Sequence, residues 1–299
     1  MRILLTGGTG FLGKALVTAL LNAGHQLTIH SRKPQRVSQL FGAEVEPWAT
    51  LDSWTPIHYF DAVINLAGEP IIGRQWTEQR KQILRNSRIA LTHRLVEAMS
   101  RAEQTPTVLI SGSAIGVYGD RGNTVLNEGS TGQDGFSQQL CSEWESAAKS
   151  AEKLGVRVCL LRTGLVIGKH GGFLEKMLLP FKLGLGGPIG DGRQWMSWIH
   201  IADHVAMTLY LLEAPHLAGA FNATAPEPVT NAEFVRCLAM VLNRPAVLPV
   251  PAWLIKLGAG EMSELLLGSQ RVLPRRIQAE GFRFGFETLE PALRDVLAA

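Results

Sequence analysis

"RILLTGGTGFLGKALVTALLNAG", residues 2–24, runs a short apolar stretch into a glycine-rich turn and then straight into an amphipathic stretch. "RILLT" reads as a strand and "GFLGKALVTALLNAG" as a helix ending at Gly24. The glycines between and within them fall at Gly7, Gly10 and Gly13. That spacing meets three physical demands: a tight turn, backbone close enough to touch a pyrophosphate, and close packing of helix on strand. An anion would rest on the unpaired N–H groups at the helix start, around Phe11 and Leu12. A glycine pattern by itself says little, but between a strand and a helix, inside a βαβ unit, it is a dinucleotide-binding fingerprint.

The end of the second strand, "QLTIHS", decides which dinucleotide. A chain that selects NAD places Asp or Glu there, about 20 residues past the loop, to bind the ribose hydroxyl. Here the residues are His30, Ser31, Arg32 and Lys33. A hydroxyl and two cations stand where NADP carries its extra phosphate, and arginine suits phosphate through paired, charge-assisted hydrogen bonds. The expected cofactor is NADP, with Ser31 and Arg32 as its phosphate contacts.

Further along, "DAVINLAG", "TVLISGS" and "VRVCLLRTG" read as buried strands, and "EQRKQILRNSRIALTHRLVEAMS" as a long helix with apolar residues three and four apart. Strand–helix alternation with near-continuous apolar strands predicts an α/β fold, a doubly wound parallel sheet covered on both faces. After Gly164 the rhythm changes. "FLEKMLLPFKLGLGGPIGDGRQWMSWIH" predicts a helix broken by Pro180 and then a glycine-rich loop carrying aromatics. Helices and proline turns follow, through "LPVPAW" to a final "TLEPALRDVLAA" helix. The expected division is a Rossmann domain over residues 1–170, with 200–222 returning to it, and a smaller substrate lobe and C-terminal domain over 171–299.

Composition narrows the function classes. Hydrophobic residues at 46% and charged ones at 18% of 299 residues fit a globular chain with a large core. A net charge of +3, spread along the chain, argues against a nucleic-acid or anionic-membrane partner and leaves a small-molecule substrate as the expected one. The densest basic patch, Arg271, Arg275 and Arg276, reads as a solvated helix face. Cys141, Cys159 and Cys237 are far apart and never paired as CxxC, which points to a reducing compartment without a disulfide framework or zinc site. No apolar run reaches the roughly 18 residues that span a bilayer, and the first residues already read as a strand. The cytoplasm is the expected location.

The chain resembles the extended short-chain dehydrogenase/reductase family in "TGGTGFLG", "NLAG", "ISGSAIGVYG", "RTGLVIG" and "WIHIADH". More narrowly it resembles that family's atypical "epimerase family" branch, YfcH-type and SulA-like, which carries a C-terminal domain of unknown function. The resemblance implies cofactor contacts from Leu66 and Ala67 along the adenosine ribose and diphosphate, from Arg88 in the following helix, and from Leu165 towards the nicotinamide.

It also implies a reaction centre made of a Ser or Thr and a Tyr-x-x-x-Lys helix. Ser113 matches the serine. The helix, "FSQQLCSEWE" at residues 136–145, does not match: Ser137 falls at the tyrosine position and Cys141 at the lysine position. A serine hydroxyl is far harder to ionise without a partnered base. Glu143 and Glu145 are expected to face solvent. Tyr118, on the loop leaving Ser113, is the candidate substitute proton donor. His200 and His204 are four apart, but a strand end at the first and an N-cap at Asp203 make a structural role the expectation rather than a metal site. Trp195 and Trp198 are candidates to stack on a substrate ring or to fill the core. Two functions follow: an NADP-dependent oxidoreductase or epimerase-like enzyme on a sugar-like small molecule, or a non-catalytic NADP(H)-binding regulator linked to cell division.

Overall fold

A computed structural model describes residues 1–169 and 171–298. Its first half alternates strand and helix: β1 (Arg2–Thr6), α1 (Phe11–Asn22), β2 (Gln26–His30), α2 (Pro34–Phe41), β3 (Val45–Trp48) and β4 (Ala62–Asn65). Then come α3 (Glu78–Arg85), α4 (Leu91–Ser100), β5 (Val108–Ala114), β6 (Val125–Leu126), α5 (Phe136–Lys149) and β7 (Arg157–Thr163). A π-helical turn at Asn86–Ala90 joins α3 to α4 without a break, so the predicted long helix is one rod with a bulge in it.

The second half begins with β8 (Leu165–Ile167), α6 (Gly172–Lys182), β9 (Trp195–Met196), β10 (Trp198–His200), α7 (Ile201–Glu213) and β11 (Gly219–Ala223). It ends with β12 (Val229–Thr230), α8 (Asn231–Leu242), α9 (Ala252–Ala259), α10 (Glu264–Leu267), β13 (Arg271–Val272), α11 (Arg275–Ala279) and α12 (Leu289–Leu297).

Seven strands form one parallel sheet in the order β11-β7-β5-β4-β1-β2-β3. The strand order reverses between β1 and β4, and in such sheets ligands bind in the crevice at the carboxyl ends there. Alternation along each strand sends side chains to opposite faces. Ile3, Leu5, Ile64 and Ile110 pack with Leu16, Val17 and Leu20 of α1 and with Met207 and Leu211 of α7. Leu4, Val63, Leu109 and Leu160 pack on the other face with Leu95 and Met99 of α4 and Ala148 of α5. Both faces are therefore dry, which is why the strands read as continuous apolar runs.

Elements β8, α6, β10, α8 and α12 build a lobe around Leu174, Phe181, Trp198, Phe234, Leu238 and Leu293, while Ala259 of α9 packs with Trp76 and Phe136, and Ile277 of α11 joins the core of the sheet. Thr230 and Glu233 close a reciprocal capping box at the start of α8. Pro180 does not break α6, which runs on to Lys182. The proline sits in the last turn, so only one backbone bond is forfeited and few residues follow it. Of the basic patch, Arg275 and Arg276 are exposed on α11, Arg276 also lying over Phe221 at 4.4 Å, whereas Arg271 is half-buried in β13 over the Trp195 ring at 4.3 Å. No helix among the described residues is long and apolar enough to cross a membrane.

Candidate functional site

At the carboxyl end of β1 the chain turns through Gly7, at φ +76°. A Cβ on Gly7 would lie 2.6 Å from the Leu66 carbonyl carbon and 2.8 Å from Ala67 N, and one on Gly13 would lie 2.2 Å from Gly7 O. Only glycine fits at either position, and the close approach brings Leu66 and Ala67 against the turn. Gly10, extended and without a side chain, precedes α1, so no side-chain oxygen caps the helix and no acidic residue sits in its first turn. The first helical bond is Lys14 N–H to Gly10 O. The amides of Phe11, Leu12 and Gly13 are thereby left facing the crevice, the fitting donors for an anion. The Phe11 side chain is held from the lobe: a Cβ on Gly171 would come within 2.3 Å of its ring.

Ser31 and Arg32 follow β2 at the same end of the sheet. Ser31 Oγ accepts from Lys33 N–H at 3.1 Å. The Arg32 side chain is 86% exposed and pairs with Glu69 at 3.0 Å, which holds the Glu69 carboxyl below its usual range. Because β1 lies between β2 and β4, this pair spans the end of β1 beside the glycine turn. Glu69 escaped the sequence reading, although it directly follows "NLAG" and so had to emerge at the crevice. Arg88, on the π-helical turn, is half-buried beneath the same segment. Its guanidinium donates to Glu69 O at 2.9 Å, and a Cβ on Gly68 would lie 2.9 Å from its Cζ.

The expected reaction centre is arranged differently. Ser113 is 4% exposed and donates to Glu145 Oε1 at 2.7 Å. Glu145 does not face solvent; it is 5% exposed and takes both Nε and Nη2 of Arg162, at 2.8 and 2.9 Å. Tyr118 does not reach the cavity either. Fully buried, it donates to Asn222 Oδ1 at 2.7 Å and accepts from Arg162 Nη1 at 3.0 Å. Burial raises its pKa, with Arg162 only partly opposing that. Both lone candidates for proton transfer are thus members of a closed polar network that ties β5, β7, α5 and β11 together. A satisfied network of this kind rigidifies the fold, and the Tyr118 hydroxyl, offered as the proton donor, is directed into it rather than into the cavity.

A cavity of about 450 Å³ opens beside this network, between the sheet and the lobe. It is lined by Ala114–Gly116 at the end of β5 and by Thr163–Leu165 where β7 passes into β8. Ser137 and Cys141, one turn apart on α5, form the wall where the tyrosine and lysine were expected. Ser137 Oγ donates to Glu264 Oε1 at 2.6 Å, and the same oxygen accepts Ser137 N–H at 3.1 Å. Glu264 comes from α10, 127 residues away, and no local signal marked it. Cys141 is buried, and its thiol is pushed up to about 12 by burial and then by Glu145, so it stays protonated.

His200 and His204 are both engaged within the fold. His200 caps α7 itself, its Nδ1 accepting from Ala202 N–H at 3.2 Å. Asp203, expected as the cap, instead accepts Gly285 and Phe286 N–H at 2.7 and 2.9 Å and pins the C-terminal segment. His204 is buried beside Thr163. No cluster among the described residues could hold a metal. Trp195 lines the cavity, whereas Trp198 is fully buried and donates to Glu227 O.

Comparison with known proteins agrees with this architecture. Residues 3–223 match the NAD dependent epimerase/dehydratase family, and residues 250–296 match a domain of unknown function, DUF1731. The chain is 39% identical over its full length to the full-length epimerase family protein SDR39U1 of Mus musculus. It is 38% identical to the epimerase family protein YfhF of Bacillus subtilis, covering 100% of this chain and 98% of that one. The crystal structure of human SDR39U1 with NADPH superposes with a TM-score of 0.91 at 36% identity, over 100% of this chain and 99% of that one. A Bacillus cereus UDP-glucuronic acid 4-epimerase, solved in complex with UDP-glucuronic acid and NAD, shares the fold at a TM-score of 0.79 and 18% identity, over 100% of this chain and 97% of that one. The chain belongs to the NAD dependent epimerase/dehydratase family, in the epimerase-family branch that carries the DUF1731 domain at its C-terminus.

Proposed function

We propose that this protein binds NADP(H) across Gly7, Gly10 and Gly13 and is an oxidoreductase of epimerase-like type acting on a small molecule held in the cavity. The observation that carries the reading is placement: the glycine turn follows β1, and the cavity is lined by residues at the ends of β5 and β7, all at the carboxyl end of one sheet. The NADPH in the human relative's structure supports the choice of cofactor. When bound, NADP(H) supplies or accepts a hydride. The amides of Phe11, Leu12 and Gly13 hold the diphosphate, Ser31 and Arg32 hold the extra phosphate, and Leu66 and Ala67 flank the adenosine ribose. Arg88 fixes the Glu69 backbone at the crevice, and Leu165 forms the wall on the nicotinamide side. Proton handling falls to Ser137 Oγ–H, oriented by Glu264 Oε1 at 2.6 Å.

A second reading, a non-catalytic NADP(H)-binding regulator, is favoured by the engagement of Ser113 and Tyr118 in the structural network. NADPH oxidation across a carbonyl panel separates the two, since the regulator binds NADPH without turnover. The cofactor is tested by titrating NADPH and NADH into wild type and Arg32→Ala. A hydrogen bond to a charged group contributes about 1.5–3 kcal/mol, and solvent screening of this 86% exposed side chain favours the lower end. NADPH affinity should fall about tenfold while NADH is little changed. Equal losses for both would refute the phosphate role.

A further inference from the structure

Resting on the proposed NADP(H) reading, we infer that the cavity takes an uncharged, mainly apolar carbonyl compound or alcohol, and not a phosphorylated nucleotide sugar. The walls are built from Ile71, Ile72, Phe173, Met177, Leu265 and Leu266. Of the polar side chains that also line the cavity, Gln194, Ser197, Asn231 and Gln270 are already engaged within the protein. Gln194 Nε2 donates to Ile189 O and Leu266 O, and Gln270 Nε2 donates to Ile115 O and Gly119 O. Asn231 Oδ1 accepts Ile189 N–H, and Ser197 Oγ donates to Gln270 O while accepting Val272 N–H. These groups hold the wall in shape, and a ligand that recruited them would orphan buried backbone carbonyls.

Charge points the same way. Among the described residues the charged lining side chains are the exposed Asp120, Asp134 and Lys176 and the half-buried Glu264. Among the described residues no arginine lines the cavity. A diphosphate needs charge-assisted donors, for which arginine forks are best suited, and three carboxylates would repel it. An uncharged ligand meets neither obstacle. Its apolar body gains from leaving water, and its one polar end meets Ser137, the one of these hydroxyls that can turn from its partner to the ligand, because Glu264 Oε1 still accepts Ser137 N–H at 3.1 Å. Cavities of this size hold drug-sized ligands in the same manner, with an apolar lining and few polar anchors.

The test is displacement of the uncharged dye Nile red, with and without saturating NADPH, by methyl ketones of increasing chain length and by UDP-glucose. Each added methylene should tighten competition about fourfold, the ratio that burying one CH₂ implies, and UDP-glucose should not compete. Met177→Asp should weaken dye and ketone binding at least tenfold, while Met177→Leu restores both. NADPH titration, read separately, shows that each variant is folded. UDP-glucose competing better than the ketones, or ketone affinity independent of chain length, would overturn the inference. A protein that takes the ketones in the predicted series but fails to bind NADPH would overturn the cofactor reading and leave the cavity assignment standing.

Discussion

Tyr118→Phe removes one oxygen from the closed network and nothing else. In the wild type that hydroxyl donates to Asn222 Oδ1 at 2.7 Å and accepts from Arg162 Nη1 at 3.0 Å. The two partners are not equally dependent on it. Arg162 Nη1 also donates to Glu128 O at 3.1 Å, and the rest of the guanidinium stays clamped on Glu145. Asn222, fully buried, keeps its Nδ2–H bond to Leu273 O at 3.0 Å but has no other donor for Oδ1. One buried acceptor is orphaned, at a cost of about 1–3 kcal/mol. Taking roughly 2 kcal/mol and about 2–4 °C per kcal/mol for a chain of this size class, Tm should fall by about 4–8 °C. Thermal unfolding followed by circular dichroism measures this, beside an NADPH titration that should not move. If the Phe variant melts with wild type but loses turnover on any substrate the protein accepts, the structural role is wrong and the tyrosine serves catalysis after all.

Three further outcomes follow from the same geometry. Arg162→Met leaves the Glu145 carboxylate buried without its cation and should destabilise by about 3–5 kcal/mol, more than Tyr118→Phe; equal losses in chemical denaturation would refute the hierarchy. Glu69→Gln frees Arg32 from a largely exposed ion pair of about 0.2–1 kcal/mol, so NADPH affinity should rise by roughly 1.5- to 5-fold, and a weaker affinity in the titration would show that Glu69 helps rather than competes. His204 is pushed down from 6.5 to about 4 by burial alone. The unfolded chain therefore takes up a proton that the folded one refuses: this contribution is complete above the unfolded value and is lost as pH falls towards the folded one. Up to about 3 kcal/mol should disappear across that window, and His204→Gln should flatten the wild-type stability profile there; an unchanged profile counts against it.

The strand–turn–helix over residues 2–24 fixed the most from the least. Its glycine spacing, position and polarity pattern are local properties, readable because φ sign, helix initiation and period-two burial depend on near neighbours. The absence of the Tyr-x-x-x-Lys pair was legible for the same reason, since it concerns one helix. The cations after β2 were legible too, but their pairing with Glu69 was not. Tertiary structure alone decided which side chains face one another. Tyr118 meets Asn222 across 104 residues and Ser137 meets Glu264 across 127. Nothing local distinguishes a loop tyrosine that enters a cavity from one that closes a buried network, or a helical glutamate that meets solvent from one that meets Arg162. Sheet order and the docking of the lobe choose between them, because an ionisable side chain takes its role from whatever distant partner can satisfy it once water has gone.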